Sequence, residues 1–547
     1  MDKNTLLFME GRTKALGDNI ALGMKSFLGW KELTFKGLSI LAQRLGNHLI
    51  QLNINKGDKL AILSESMPEW GAALFASTLA GATTVPLDIK LTIYELTSIV
   101  SDCQPKVMLV SSAFLETALK LKESVPSIEH IIILDGNGAN TEFQSLYTLK
   151  DGEGVKWRHR NISKTALIIY TSGTTGMPKG VQVSFRNVFA QIEALDKAFN
   201  INEKDRFLSI LPMNHLFELT VGFLTFLNKG ASIYYTQSLK PKHIFPILQE
   251  KQITFMVVVP AFLKLVQTTI ENEVKQGGKW GKFWFDVRYN IASMIKSYKI
   301  RKFMFKKIHK HLGGKFKGFL TGGAPMDIET GIFFQTIGIK VFEGYGLSEA
   351  SPVVSYNTEK DYRLGSVGKP LSNVEARIDE ETGELLVRGD NVMSGYFNRP
   401  DLTDEVIDEQ GWLKTGDIAK IDKDGFIWIT GRIKNMIVLS GGKKVFPEEV
   451  ESVLNTSSMF QELCVFGSKK HQGQKDGCEN VCVKIVPRPE IIEQYPNDEE
   501  LNKVILAEVK NLGNRLSHFK RPTAVVVTKE PLERTATGKI KRKGMSL

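Results

Sequence analysis

Short apolar runs rich in β-branched residues recur along the first half of the chain, at 60–63, 107–110, 131–134, 166–170, 232–235 and 254–259. Runs of this length bounded by turn residues read as buried strands. Between them the apolar positions change to the three-and-four spacing of a helix face, as in 38–52 and 188–199. That alternation predicts parallel sheets with crossover helices, so the first three quarters of the chain reads as α/β. After about Asn357 the pattern becomes short strands with turn signals such as 379–383 and 422–425, a small β-rich subdomain. From Lys434 a compact α+β tail of about 110 residues follows, a common size for one domain. The expected organisation is a large N-terminal domain, 1–433, of α/β subdomains plus the β-rich one, and a small C-terminal domain, 434–547.

Two stretches depart from this pattern. The first, 207–227, is the most membrane-like, but Pro212, Asn214, His215 and Glu218 interrupt it where a spanning helix is uniformly apolar. It reads as buried core near a site. In the second, Trp284, Val287, Ile291, Met294, Tyr298, Arg301, Phe305, Ile308 and Leu312 fall at alternating spacings of three and four, predicting an amphipathic helix or helix pair.

Charge changes the picture only there. The chain of 547 residues carries a net charge of +11, yet 275–317 holds thirteen Lys or Arg against Asp286 alone. The rest is therefore close to neutral, and the protein has a basic patch rather than a basic character. Two readings of the patch stay open: an interfacial helix on an anionic membrane, with Trp280, Phe283 and Trp284 beside the lysines, or a surface helix docked on the core with solvated lysines. Nucleic acid is set aside, because no reading module accompanies the charge. Four scattered cysteines (Cys103, Cys464, Cys478, Cys482) build neither a disulfide scaffold nor a zinc site, and the N-terminus lacks the marks of a secretory signal. The expected location is the cytoplasm, peripheral on the inner face of a membrane if the patch binds lipid; oligomeric state is not legible.

The strongest chemical signal is YTSGTTGMPKG at 170–180, after the predicted strand 166–170 and before a predicted helix. Glycines that let backbone amides approach, hydroxyls that donate, and Lys179 suit a phosphate. Neither the Walker nor the dinucleotide pattern fits. In EGYGLSE at 343–349, Tyr345 between Gly344 and Gly346 offers an aromatic face for a base, and Glu349 a hard oxygen for magnesium.

Together with LPMNHLFE (211–218), TGGAP (321–325), GELLVRGDNVMSGYF (383–397), WLKTGD (412–417), GRIKNMIVLSGGKKVFPEEVE (431–451) and ERTATGKIKR (533–542), these strings resemble the acyl-adenylate-forming superfamily over nearly the whole chain, long-chain fatty acyl-CoA synthetases in particular. The resemblance implies ATP, magnesium and coenzyme A, a fatty acid substrate, and an acyl-adenylate intermediate. It implies that Thr171, Ser172, Gly173, Thr174, Thr175, Gly176 and Lys179 hold phosphate, with Thr171 and Glu349 at the metal. Gly322, Gly323 and Ala324 would line the adenine opposite Tyr345, with Glu343 in the same nucleotide site, and Ser348 would touch the α-phosphate. Asp417 would hold the ribose hydroxyls, with Arg432 as a second ribose or phosphate contact, and His215 would sit by the substrate carboxylate. Lys539 would stabilise charge in adenylation; Lys434 would be the hinge of a mobile C-terminal domain; Gly441, Lys443 and Lys444 would serve coenzyme A. A fatty acyl-AMP ligase or acyl-carrier-protein synthetase, and a non-enzymatic membrane-binding protein, are the alternatives.

Overall fold

The computed structural model describes residues 5–26, 29–136, 143–150, 161–171, 178–439, 443–468, 479–534, 540–542 and 544–545, with backbone alone for 5–10. The chain forms two compact units, Met1–Glu375 with Val387–Leu413, and Ala376–Leu386 with Lys414–Leu547.

The first unit holds two sheets. In one the strand order is Gly395–Tyr396, Lys179–Ser184, Thr165–Thr171, Thr83–Pro86, Lys59–Leu63, Val107–Val110, His130–Ile133, and its last five strands run parallel. The other has nine strands: a parallel centre of Lys340–Gly346, Gly318–Thr321, Phe255–Val258, Arg206–Ser209, Ser232–Tyr235 and Ile20–Ser26, with antiparallel strands at both edges. Val, Ile and Phe of the central strands are buried against flanking helices, as near-continuous apolar strands require.

Most of a four-stranded sheet (Val374–Ile378, Glu384–Gly389, Leu413–Ile421, Ile427–Arg432) lies in the second unit. That unit also has a three-stranded sheet, Phe460–Ser468, Asn480–Pro487 and Ala524–Val527, packed on helices Pro447–Leu454 and Asp498–Gly513 through Val450, Val465, Val483 and Ile505. Among the described residues no helix is long and apolar enough to cross a membrane.

Two expectations are corrected. The segment 170–180 does not lead from a strand into a helix. It joins two antiparallel strands, Thr165–Thr171 and Lys179–Ser184, and the helix Phe185–Ala198 starts only after them. Alternation at Val181, Gln182 and Val183 extends the sheet, and a reciprocal cap fixes the helix start: Asn187 N–H donates to Ser184 Oγ at 3.2 Å while Ser184 N–H donates to Asn187 Oδ1 at 2.7 Å. The basic segment is three helices, Gly278–Met294, Tyr298–Met304 and Lys306–His311, and its predicted apolar stripe is split. Arg301, Phe305 and Leu312 are buried, but Trp284, Ile291 and Met294 face solvent. The helix Gly278–Met294 packs instead through Phe285, Tyr289 and Ala292, with Phe285 edge-on to Phe305 at 5.6 Å and Tyr289 stacked on Phe333 at 6.0 Å.

Candidate active site

The ends of the central parallel strands build the site in the first unit. Thr171 and Lys179 are cross-strand partners at the mouth of the hairpin, with Thr171 Oγ1 3.5 Å from Lys179 O. Ser172, Gly173, Thr174, Thr175 and Gly176, which connect them, lie outside the described residues.

Strand Gly318–Thr321 runs into Gly322, Gly323 and Ala324, and its parallel neighbour Lys340–Gly346 carries Glu343, Gly344, Tyr345 and Gly346. Close approach explains the glycines beside Tyr345. A Cβ on Gly346 would lie 1.9 Å from Pro352 O, and one on Gly344 would lie 2.5 Å from the Tyr356 ring. Gly323 has φ +79°, a left-handed turn that swings the chain away from the sheet. Glu343 Oε1 accepts the Met326 N–H at 3.2 Å and ties its strand to the loop that follows Ala324; burial pushes its carboxyl up to about 7.

Ser348 and Glu349 sit on a short 3-10 turn, Ser348–Ala350, held from beneath by Gln191. Gln191 donates to Val353 O at 2.7 Å and accepts the Val353 N–H at 3.2 Å, and Asn391 donates to Ala350 O at 3.2 Å. The Tyr396 hydroxyl donates to Glu349 Oε1 at 2.8 Å, and Lys179 Nζ lies 5.1 Å from the centre of the Tyr396 ring. Burial and then Glu349 raise the Tyr396 phenol, so it stays a donor. The candidate phosphate lysine and the candidate metal ligand thus meet across one tyrosine. Among the described residues no three His, Cys, Asp or Glu are grouped to hold a metal, so a magnesium ion here would need phosphate and water oxygens beside Glu349.

His215 Nε2 is 3.8 Å from Asp88 Oδ2, which follows the parallel strand Thr83–Pro86. Its loop is pinned by Ser66, whose Oγ accepts the Met213 N–H at 3.1 Å. The stretch 207–227 is mostly buried, its loop 210–215 partly open, and after His215 it forms a π-helix, Phe217–Leu224. Glu218 on that helix is fully buried, and among the described residues neither of its carboxylate oxygens has a hydrogen-bond partner of good geometry. Burial lifts its carboxyl to about 8, against a small opposing effect of Ser209.

In the second unit, Asp417 and Arg432 are cross-strand partners: Arg432 Nε is 2.6 Å from Asp417 Oδ1, and Asp417 is buried. The turn before Asp417 is fixed by Glu384, whose Oε1 accepts the Gly416 N–H at 2.7 Å. Lys434 is exposed on the turn Ile433–Asn435. Lys443 Nζ lies 4.7 Å from the Phe519 ring centre, whereas Gly441 lies outside the described residues. Lys539 does too, but the chain on either side of it is anchored. Arg534 and Ile540 form an antiparallel bridge, Arg534 pairs with Glu462 at 2.7 Å, and Arg542 pairs with Glu448 at 3.1 Å and Glu451 at 2.5 Å.

Sequence reasoning did not single out Asp88, Gln191, Asn391 or Tyr396. Asn391 and Tyr396 stand inside the string at 383–397, where an amide two residues after Gly389 and a tyrosine after Gly395 were the available signals. Asp88 and Gln191 had none.

Comparison with known proteins gives one direction. Residues 10–397 match the family described as AMP-binding enzyme, and 434–546 its C-terminal domain. The long-chain-fatty-acid–CoA ligase FadD15 of Mycobacterium bovis is 30% identical over 92% of this chain and 88% of that protein. Fatty acyl-CoA synthetase A of Dictyostelium discoideum is 28% identical over 90% of this chain and 79% of its own length. Among solved structures, o-succinylbenzoate coenzyme A synthetase of Bacillus subtilis with ATP and a magnesium ion superposes with a TM-score of 0.76 at 25% identity, covering 98% of both chains. ATP-bound MatB of Rhodopseudomonas palustris gives 0.78 at 24% identity, covering 99% of this chain and 97% of that one.

Proposed function

Because the chain belongs to the AMP-binding enzyme family, we propose that it is an AMP-forming fatty acyl-CoA synthetase, activating its acid through an acyl-adenylate. The observation that carries this reading is the junction of Lys179, Tyr396 and Glu349 beside the glycine-flanked Tyr345. It offers a phosphate-binding cation, a hard oxygen ligand and an aromatic face, the set an adenine nucleotide with a metal requires.

In the first step a carboxylate oxygen of the fatty acid attacks the α-phosphorus of ATP, and the bond to pyrophosphate breaks. Lys179 and Lys539 offset the charge that gathers on the phosphoryl oxygens, and Ser348 donates to the α-phosphate. Tyr345 and 322–324 hold the adenine, and Asp417, oriented by Arg432, accepts from the ribose hydroxyls. His215, with Asp88 behind it, faces the acid carboxylate. Glu349, with Thr171 beside it, would hold a magnesium ion, which would offset triphosphate charge when bound. In the second step the thiol of coenzyme A, losing its proton, attacks the acyl carbon and AMP leaves. Lys434 absorbs the backbone change between the steps, and Gly441, Lys443 and Lys444 receive coenzyme A.

Pyrophosphate release measured across carboxylic acids from acetate to oleate, with and without coenzyme A, tests the proposal. Fatty acids should yield AMP, pyrophosphate and acyl-CoA in equal amounts. ADP as the nucleotide product, or release indifferent to the acid, would overturn it.

A further inference from the structure

The three helices of the basic segment carry an apolar face that the core does not use. Of the fifteen exposed large apolar side chains among the described residues, seven lie within 280–303. On Gly278–Met294, residues Trp280, Trp284, Val287, Ile291 and Met294 recur at spacings of four, three, four and three. At about 100° per residue they form one stripe, and Phe285, Tyr289 and Ala292, which dock the helix, lie on the opposite side. Trp280 is 76% exposed, Trp284 55% and Met294 85%, and the next helix adds Phe303 at 75%. Among the described residues, the ring contacts of the outer aromatics are with one another, Trp280 against Phe283 at 6.2 Å and Phe283 against Trp284 at 5.6 Å.

The charges around this stripe sort into two sets. Arg301 is buried and donates to Gln335 O at 2.9 Å, Lys302 is half-buried and donates to Phe316 O at 3.3 Å, and Lys317 pairs with Asp205 at 2.7 Å. The other ten cations, Lys279, Lys282, Arg288, Lys306, Lys307 and Lys310 among them, are exposed, and no ion pair reaches them among the described residues. An exposed Trp and Met stripe alone marks a docking face of unspecified kind. Ringed by unpaired cations, with Asp286 the one acid of the segment 275–317, it selects a partner that is apolar in depth and anionic at its surface. A second copy of the same face would bring like charges together, and a nucleic acid would give the stripe nothing to bury in.

We propose that the helices Gly278–Met294, Tyr298–Met304 and Lys306–His311 are an interfacial foot that seats the protein on an anionic lipid bilayer. Trp280, Trp284, Ile291 and Met294 enter the boundary of headgroups and acyl chains, and the lysines pair with lipid phosphates. This inference stands apart from the catalytic reading, since none of these residues belongs to the candidate active site.

The test is sedimentation of the full-length protein with vesicles of phosphatidylcholine, alone or with one-third phosphatidylglycerol. The anionic vesicles should be bound, the neutral ones at least about tenfold more weakly, and binding should fall as salt shortens the screening length. Changing Lys306, Lys307 and Lys310 to Gln should weaken binding about 10²-fold, at roughly fivefold per cation near the surface. Trp280→Ser with Trp284→Ser should weaken it as much, and should remove the blue shift of tryptophan emission on vesicle addition. An unchanged thermal unfolding midpoint shows that the variants are folded. Equal sedimentation of parent and variants would overturn the foot. So would vesicle binding insensitive to the Trp changes, which would leave only a polyanion-binding patch, or capture by an acidic protein in the absence of any vesicle binding.

Discussion

Glu218 offers the sharpest physical test of the region that follows His215. Its carboxyl is fully buried on the π-helix Phe217–Leu224, and its pKa rises from 4.5 to about 8 through burial. A carboxyl raised in the folded state keeps its proton where the unfolded chain has lost it. Its contribution is complete below pH 4.5, declines as pH rises, and is lost above about 8. Across that window unfolding free energy should fall by about 1.4 kcal/mol per pH unit from this group, up to about 5 kcal/mol in all. Glu218→Gln keeps the shape and removes the titration. A constant cost of about 1–3 kcal/mol for the buried amide cancels when two pH values are compared. Relative to the parent, the variant should therefore gain about 3 kcal/mol between roughly pH 5.5 and 7.5. Denaturant unfolding at several pH values measures this. Infrared difference spectra at neutral pH should also show one protonated carboxyl carbonyl in the parent that Glu218→Gln lacks. A pH-independent stability difference, with no such band, would mean that the carboxylate is ionised and that an unseen partner compensates it.

Tyr396→Phe removes a hydrogen bond to a charged group worth about 1.5–3 kcal/mol, so pyrophosphate release should fall roughly 10- to 150-fold, and an unchanged rate would detach Tyr396 from the role of Glu349. Gly346→Ala places a Cβ 1.9 Å from Pro352 O, and should abolish nucleotide binding in calorimetry or prevent soluble expression. Lys539→Ala should lower adenylation by about 10² to 10³ and leave thioester formation from presynthesised acyl-adenylate near the parent rate. Lys434→Pro should do the reverse, because a fixed φ blocks the hinge; equal loss of both half-reactions in both variants would refute alternation.

The sequence by itself determined the chemistry and the elements whose causes are local. Apolar runs such as 107–110 and 232–235 coincide with the strands Val107–Val110 and Ser232–Tyr235, because a run of four bounded by turn residues is too short for a buried helix. The strings around Lys179, Tyr345 and Asp417 announced a nucleotide site because residue type, flanking glycines and order along the chain are visible without coordinates. Tertiary structure decided what depends on partners distant in sequence. Tyr396 reaches Glu349 only because Gly395–Tyr396 pairs with Lys179–Ser184 at a sheet edge, and Arg432 meets Asp417 only through strand register. The hairpin at 171–179 replaced the expected turn into a helix because Val181 and Val183 gained a sheet neighbour that periodicity cannot name. The helix Gly278–Met294 shows the limit most plainly. Its sequence offers two apolar faces, Trp280–Trp284–Ile291–Met294 and Phe285–Tyr289–Ala292, and hydrophobicity alone favours the larger. The core took the smaller, because Phe305 and Phe333 were there to receive it.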